Sequence, residues 1–331
     1  MFSRIFVPLD GSDIAAQALP YAIALTEKLG SRLSLAGVVL PHLKDLGVAD
    51  LFGITSDTRR TAEEHAAAAA VDYLQGIAAP LRTRGIDVEW TIVRGENAAG
   101  EIIDLAADED HTLIVMSTHG RTGFQRLRLG SVAQQVIRHA TKPTLVVRAR
   151  ENPLRAGMSL VQQITVTLDG SPLAECALPV ACRFAEAFAV PLTLLRVLPN
   201  AVYRSTYYGT TFVPPTKELE EYAQSDAEMY LARIAARLEI TGVRTQWLRG
   251  RATPDAIITE YLHAQPPGIA VMASHGRGGI SRWVVGSTAE NVITGAPCPV
   301  LIVRAMTAPH DGRIPTEEVG ERSVKESARR G

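Results

Sequence analysis

The sequence predicts an α/β fold present in duplicate: two domains, each an open, mostly parallel five-stranded sheet with helices on both faces. Three observations point there. Short apolar runs alternate with segments of helical spacing in the order βαβαβαβαβ, and that alternation implies parallel strands joined by helical crossovers. The whole order then recurs. VPLDGSDIAAQALP around Asp10 matches VTLDGSPLAECALP around Asp169, 159 residues later, while Gly120 and Gly276, Gly130 and Gly286, and Pro143 and Pro299 are each separated by 156. Finally, a chain of 331 residues suffices for two domains of about 150 residues each. A repeat of this size is a duplicated domain and not a solenoid period.

In the first half (residues 1–150), Arg4–Leu9 is an apolar strand. Gly11-Ser12-Asp13 turns the chain, and Ser12 or Asp13 caps the helix that follows. Ile14–Leu29 has helical spacing and ends at Gly30, a usual C-cap. Leu33–Leu40 is the second strand, stopped by Pro41, and His42–Arg60 lacks a clean period and reads as a loop. Thr61–Thr83 is an Ala-rich helix opened by the capping box Thr61-Ala-Glu-Glu64. Asp87–Val93 is a strand, Asn97–Ala107 a helix, Thr112–Met116 a strand, Ser131–His139 a helix and Pro143–Arg148 the last strand. The second half (residues 161–306) repeats the series: Ile164–Leu168, Leu173–Phe188, Leu192–Leu198, Lys217–Leu238, Val243–Leu248, Pro254–His263, Ile269–Met272, Ser287–Thr294 and Pro299–Val303. Glu151–Leu160 reads as a linker. Residues 307–331 are polar with balanced charge and predict a loose tail.

Composition narrows the function classes. Hydrophobic residues make up 46% and charged residues 21%, as in an ordinary soluble globular protein. A net charge of −1 gives no global pull toward nucleic acid or an anionic membrane, so neither is expected as a partner. The three cysteines, Cys176, Cys182 and Cys298, lack CxxC spacing, which argues against a disulfide framework or a zinc site; core packing is expected of them. The amino-terminal residues enter a strand directly, and no apolar run reaches the roughly 18 residues of a membrane span, so a cytosolic protein is expected.

The chemistry gathers in one stretch that occurs twice: MSTHGRTGFQRLRLGS, Met116–Ser131, and MASHGRGGISRWVVGS, Met272–Ser287. Each follows a buried strand, turns at a His-Gly-Arg and ends in a Gly-Ser pair that opens a helix. A Gly-rich loop running into a helix N-terminus suits an anion, usually a phosphate. Gly120, Gly130, Gly276 and Gly286 let the backbone turn and approach a ligand. Ser131 and Ser287 offer hydroxyls, and the first-turn N–H groups, including those of Val132 and Thr288, point the same way. Each charge-assisted hydrogen bond there contributes about 1.5–3 kcal/mol, and the helix dipole adds roughly 0.3–1 kcal/mol. The plainer alternative is that Gly-Ser is only an N-cap. Arg121 and Arg277, like Arg126 and Arg282, recur in register and suit phosphate charge, or serve only as solvated surface residues. His119 and His275 orient the loop; with no second histidine at ligand spacing, no metal site is expected.

In open parallel sheets, ligands sit beyond the carboxyl ends of the strands, where strand order reverses. Pro8 and Asp10 at the end of the first strand, Val38 at the end of the second and Met116 before the loop should converge there, with Asp169, Val197 and Met272 in the second half. Asp10 and Asp169 suit a ribose, because a carboxylate accepts from two neighbouring hydroxyls; either also serves as a helix N-cap. There is no GxxxxGK[ST] and no GxGxxG after the first strand, so neither a P-loop NTPase nor a dehydrogenase-type dinucleotide fold is supported. No catalytic triad stands out, and no catalytic residue is assigned.

These residues resemble the universal stress protein family in its tandem two-domain form, over nearly all of residues 1–306. The family's nucleotide signature is G-x2-G-x9-G-[ST], and nine residues separate Gly120 from Gly130-Ser131 and Gly276 from Gly286-Ser287. The resemblance implies flavodoxin-like, or adenine-nucleotide alpha-hydrolase-like, domains packed as an intrachain pseudo-dimer through their last strands, with a homodimer of chains possible. It implies ATP as ligand, with phosphates on the loop, ribose near Asp10 or Asp169 and adenine near Val38 or Val197. A magnesium ion carried by the ATP would find Asp10 or Asp169. Both copies depart from the signature at its first glycine, replaced by Ser117 and Ala273. If that backbone needs a positive φ, a Cβ costs about 1–2 kcal/mol; if it needs only a small residue, both fit, and the small size of both favours this. The expected function is an ATP-binding sensor or regulatory module with little or no hydrolysis. The alternatives are a nucleotide-free interaction scaffold and a slow ATP-dependent enzyme.

Overall fold

The computed structural model describes residues 2–40, 56–118, 129–149, 160–198, 216–275 and 286–305. The expected linker, except Leu160, and the expected tail lie outside them. Ten strands and ten helices follow in order among the described residues. The first half carries β1 (Arg4–Leu9), α1 (Asp13–Ala16), α2 (Leu19–Leu29), β2 (Arg32–Val39), α3 (Ser56–Thr83), β3 (Val88–Arg94), α4 (Ala98–Ala107), β4 (Thr112–Ser117), α5 (Ser131–His139) and β5 (Thr144–Val147). The second carries β6 (Gln163–Leu168), α6 (Pro172–Glu175), α7 (Leu178–Phe188), β7 (Leu192–Leu198), α8 (Lys217–Arg237), β8 (Val243–Arg249), α9 (Pro254–His263), β9 (Gly268–His275), α10 (Ser287–Gly295) and β10 (Val300–Ala305).

All ten strands form one sheet in the order β3-β2-β1-β4-β5-β10-β9-β6-β7-β8. Within each half the strands are parallel, and the single antiparallel seam is β5 with β10, from Val300↔Val146 to Ile302↔Thr144. The two five-stranded sheets therefore meet edge to edge. Alternation decides which side each strand residue packs on. Ile5, Val7 and Leu9 pack with Leu25 of α2 and Leu74 of α3 on one face; Phe6 packs with Ile102 of α4 and Val136 of α5 on the other. Both apolar layers run through both halves. None of the described helices is long and apolar enough to cross a membrane.

The halves are also tied across the seam. Arg148, just past β5, donates from Nη1 to the carbonyls of Gly295 (3.0 Å) and Ala296 (3.5 Å) at the end of α10. Arg304 in β10 donates reciprocally to the carbonyl of Ile137 near the end of α5. A cation at a helix C-terminus meets unpaired carbonyls and the negative end of the dipole. Between these helices Gln134 and Arg138 reach Glu290, at 3.0 and 3.5 Å.

Several sequence expectations are corrected. The first helix of each half is interrupted, α1 ending at Ala16 and α6 at Glu175, because Pro20 and Pro179 lack the N–H that a continuous helix needs and stand instead at the start of α2 and α7. α3 starts at Ser56, so Thr61 lies inside the helix and is not its cap; no Gly or Pro between residues 56 and 61 interrupts it. Cys176 follows α6 in the turn and is exposed, outside the continuous helical register that predicted packing; Cys182 and Cys298 are partly buried, and all three are free thiols.

One repeat position carries strain. Gly30 ends α2 at φ 64°, and its counterpart Ala189 ends α7 at φ 53°. A Cβ in the left-handed region costs about 1–2 kcal/mol, of which glycine's unfolded-state entropy would return roughly 0.5–1 kcal/mol. Ala189→Gly should therefore stabilise the protein by about 0.5–1 kcal/mol, seen in calorimetry as a rise in Tm of roughly 1–3 °C. A fall in Tm would show that this turn carries no strain.

Candidate functional site

The site is made by two strands that part. β1 stays paired with β2 as far as Leu9↔Gly37 but leaves β4 after Phe6↔Ile114. β4 meanwhile follows β5 to Ser117↔Val147. Strand order reverses at this point, with β2 and β3 to one side of β1 and β4 and β5 to the other, so the carboxyl ends splay and a crevice opens between them. The second half parts in the same way, β6 leaving β9 after Val166↔Val271 while following β7 to Leu168↔Arg196.

In the first half the crevice holds a cavity of about 690 Å³, within the range of roughly 300–1,000 Å³ usual for small-molecule sites. Pro8 and Asp10 reach it from the end of β1, Val38 from β2, Met116 from β4, and Gly130, Ser131 and Val132 from the start of α5. Gly120, Arg121, Gly276 and Arg277 lie outside the described residues, as do His119, Arg126 and Arg282. In the second half Asp169 follows β6, Val197 lies on β7 and the buried Met272 on β9, while Gly286, Ser287 and Thr288 open α10. A Cβ added to Gly286 would meet nothing within 4 Å.

Local hydrogen bonds hold the rim in shape. Gly11 and Gly170 sit at φ 81° and 91°, where a side chain is strained, and they turn the chain off β1 and β6. Asp10 Oδ1 accepts from the Ser12 amide (3.0 Å) and hydroxyl (2.6 Å), and Asp169 Oδ1 accepts from the Ser171 amide (2.9 Å). Ser12 and Ser171 in turn cap α1 and α6 through the amides of Ala15 and Ala174. The caps are thus the serines, and the aspartates position them. Gly130 donates its amide to the Thr118 carbonyl (2.8 Å), tying the start of α5 to the end of β4.

Two expectations about glycine are sharpened here. Gly130 and Gly286 have φ −59° and −54°, values open to any residue, so backbone turning does not require glycine there. What glycine provides is the lack of a side chain at a helix start facing the crevice. Ser117 and Ala273, standing at the signature's first glycine, are extended strand residues of β4 and β9. Neither residue takes a positive φ, so no such strain arises there.

Sequence reasoning missed much of the wall. Ala66, Ala69, Ala70 and Tyr73 of α3 line the cavity at i, i+3, i+4 and i+7, opposite Gly37 of β2. The run Ala66–Ala70 was legible only as helix propensity; its helical spacing with Tyr73 was the available signal. Two hydroxyls in this wall are buried without a hydrogen-bond partner among the described residues, Ser117 Oγ and Tyr73 Oη. An unpaired buried hydroxyl costs about 1–3 kcal/mol. Burial, then the carboxylates of Asp10 and Asp13, raise the Tyr73 pKa and keep its phenol protonated as a donor. Among the described residues, no group of His, Cys, Asp and Glu is placed to hold a metal ion.

The profile of the universal stress protein family matches this sequence twice, over residues 1–148 and 161–304. The chain belongs to that family. A universal stress protein of Mycolicibacterium smegmatis is 27% identical over 246 residues, covering 73% of this chain and 78% of that protein. One of Synechocystis is 30% identical over 153 residues, covering 44% of this chain and 98% of its own length. Among solved structures, a universal stress protein from Archaeoglobus fulgidus superposes with a TM-score of 0.66 at 21% identity, covering 91% of this chain and 98% of that one. At that identity the likeness concerns the fold alone.

Tyr230 of α8, which opens the same Tyr-Leu-x-x-Ile-Ala-Ala run that Tyr73 opens in α3, gives this universal stress protein a spectroscopic handle. Burial, the Glu175 charge and a 3.2 Å hydrogen bond to Glu175 push Tyr230 up to about 12, against a smaller opposing pull from Arg196. A raised pKa on a neutral acid contributes stability that is intact below about pH 10 and lost as pH climbs toward 12. Ultraviolet titration should show a late tyrosine step near 12 that Tyr230→Phe removes. Persistence of that step in the variant would assign it elsewhere.

Proposed function

We propose that this chain binds ATP at the carboxyl edge of its sheet and acts in the cytosol as a stress-response sensor or regulatory module, with little or no hydrolysis. One observation carries this reading: every first-half residue selected from the sequence as a nucleotide contact, and lying within the described residues, lines the same cavity. The wall suits a flat, partly apolar base with polar appendages. Val38, Val39 and Ala36 offer an apolar slot beside the free ends of β2. Asp10 stands where a ribose would meet a carboxylate. The start of α5 presents Ser131 and first-turn amides to a phosphate chain.

Slow chemistry follows from the same wall. Asp10 is the one carboxylate among the described lining residues, and its Oδ1 is already engaged by Ser12. A water activated there would face a base with part of its capacity committed to a turn.

Native mass spectrometry of purified protein should find ATP associated with the chain, and calorimetry should give saturable binding. Gly130→Val, which suits φ −59° and leaves the strands untouched, should abolish binding at this site while the far-ultraviolet circular dichroism is unchanged. ATP turnover should stay below about one per minute, far under the typical 1–10³ s⁻¹ of enzymes. No association at millimolar ATP would overturn the reading in favour of an interaction scaffold. Fast turnover lost in Asp10→Asn would move it to the enzymes.

A further inference from the structure

The two crevices are built on one plan but lined differently. In the β1–β2 register Leu9 faces Gly37; in the β6–β7 register the equivalent Leu168 faces Arg196. Arg196 therefore occupies the position that Gly37 holds in the first half. The motif Tyr-Leu-x-x-Ile-Ala-Ala aligns α3 with α8, so that Tyr73 matches Tyr230 and Ala69 matches Asp226. In the first half Gly37, Ala69, Tyr73 and Gly11 all line the cavity. In the second, the Arg196 guanidinium touches the counterpart of each of the other three. It pairs with Asp226 at 3.0 Å, its own side chain only 15% exposed. It lies over the Tyr230 ring at 4.8 Å from the centroid. A Cβ built on Gly170, the counterpart of Gly11, would stand 3.3 Å from Nη2. Leu195 adds bulk where the first half has the cavity-lining Ala36.

From this we infer that Arg196 is an internal plug, and that the chain holds one nucleotide, in its first half, while the second crevice is closed by its own side chain. The inference rests on the nucleotide reading above. The ion pair with Asp226 and the face of Tyr230 hold the plug in place; Nη1 is buried without a hydrogen-bond partner among the described residues. Loss of Asp226 alone therefore loosens the plug, and loss of Arg196 removes it. The pairing also accounts for the two charged residues on one side of the repeat where the other side has glycine and alanine.

The test uses the full chain, ATP, and an azido analogue of ATP whose photocrosslinks are mapped by peptide mass spectrometry. Wild-type protein should bind one ATP and be labelled only in residues 1–149. The double variant Arg196→Gly with Asp226→Ala should bind a second ATP and gain label in residues 160–305. Asp226→Ala alone should give a weaker second event, and Gly37→Arg should lose the first site. Unchanged circular dichroism establishes that each variant is folded, and the gain of binding in the double variant cannot come from unfolding. Two nucleotides in the wild type, or label in its second half, would overturn the plug. So would a folded double variant that still binds one. No nucleotide in either half of any protein overturns the ATP reading itself, and the plug with it.

Discussion

The structure depends on one loss of pairing. Parallel strands hold together by a ladder of slanted hydrogen bonds, and β1 is laddered to β2 along its whole length but to β4 only as far as Phe6↔Ile114. Beyond that point Val7–Leu9 on one side and Val115–Ser117 on the other follow different neighbours. The sheet's twist then carries the strand ends apart. Helices leave the sheet to opposite faces at this same place. The backbone groups at the mouth are met locally instead: Asp10 takes the Ser12 amide and hydroxyl, and the Gly130 amide reaches back to Thr118. A crevice bordered by a carboxylate, a helix start and small side chains is the consequence of topology before it is the consequence of any particular residue.

The duplication answers a second constraint. A five-stranded half ending at β5 would present the unpaired edge of a short apolar strand, Thr144–Val147, which is a template for unwanted pairing. Pairing β5 with β10 covers both edges at once. It also brings α5 and α10 side by side, so that Arg148 and Arg304 each reach the carboxyl end of the other half's helix. This reciprocity is what an isologous interface would show between two identical chains. Here one covalent chain provides both partners, and the two apolar layers run unbroken through it.

The fold was largely legible because its signals are periodic. Strand alternation and the Gly-Ser openings of α5 and α10 are local features that the duplication presented twice, while the left-handed Gly30 after α2 was legible once, its counterpart being Ala189. The interruption at Pro20 and Pro179 was local too, yet the apolar spacing ran through it and concealed the break. The site was legible only in part. Asp10, Gly130 and Ser131 carry polar or glycine signals beside strand ends, whereas Ala66, Ala69 and Ala70 declare only that they are helical. Their role is to be small opposite Gly37, and a residue's smallness has meaning only once the partner across the crevice is known. Tyr73 was hidden for the same reason: its phenol enters the wall from a helix that sequence spacing could not orient toward β2.

That dependence on a partner also explains how two copies of one crevice come to differ while the sheet does not. Position 37 faces Leu74 and Ala70 of α3 and Ile92 of β3, its counterpart 196 faces Asp226 and Tyr230 of α8, and the register with Leu9 or Leu168 is the same in both halves. A lone guanidinium inside such a crevice would be costly to desolvate. With Asp226 in place of Ala69 the charge is paired, and the ring of Tyr230, a residue type common to both halves, accepts the cation's face. These two changes, with the added bulk of Leu195 where the first half has Ala36, fill the wall while the strand pairing is kept. The topology sets where a ligand can enter; two side chains, added or withheld, set whether there is room.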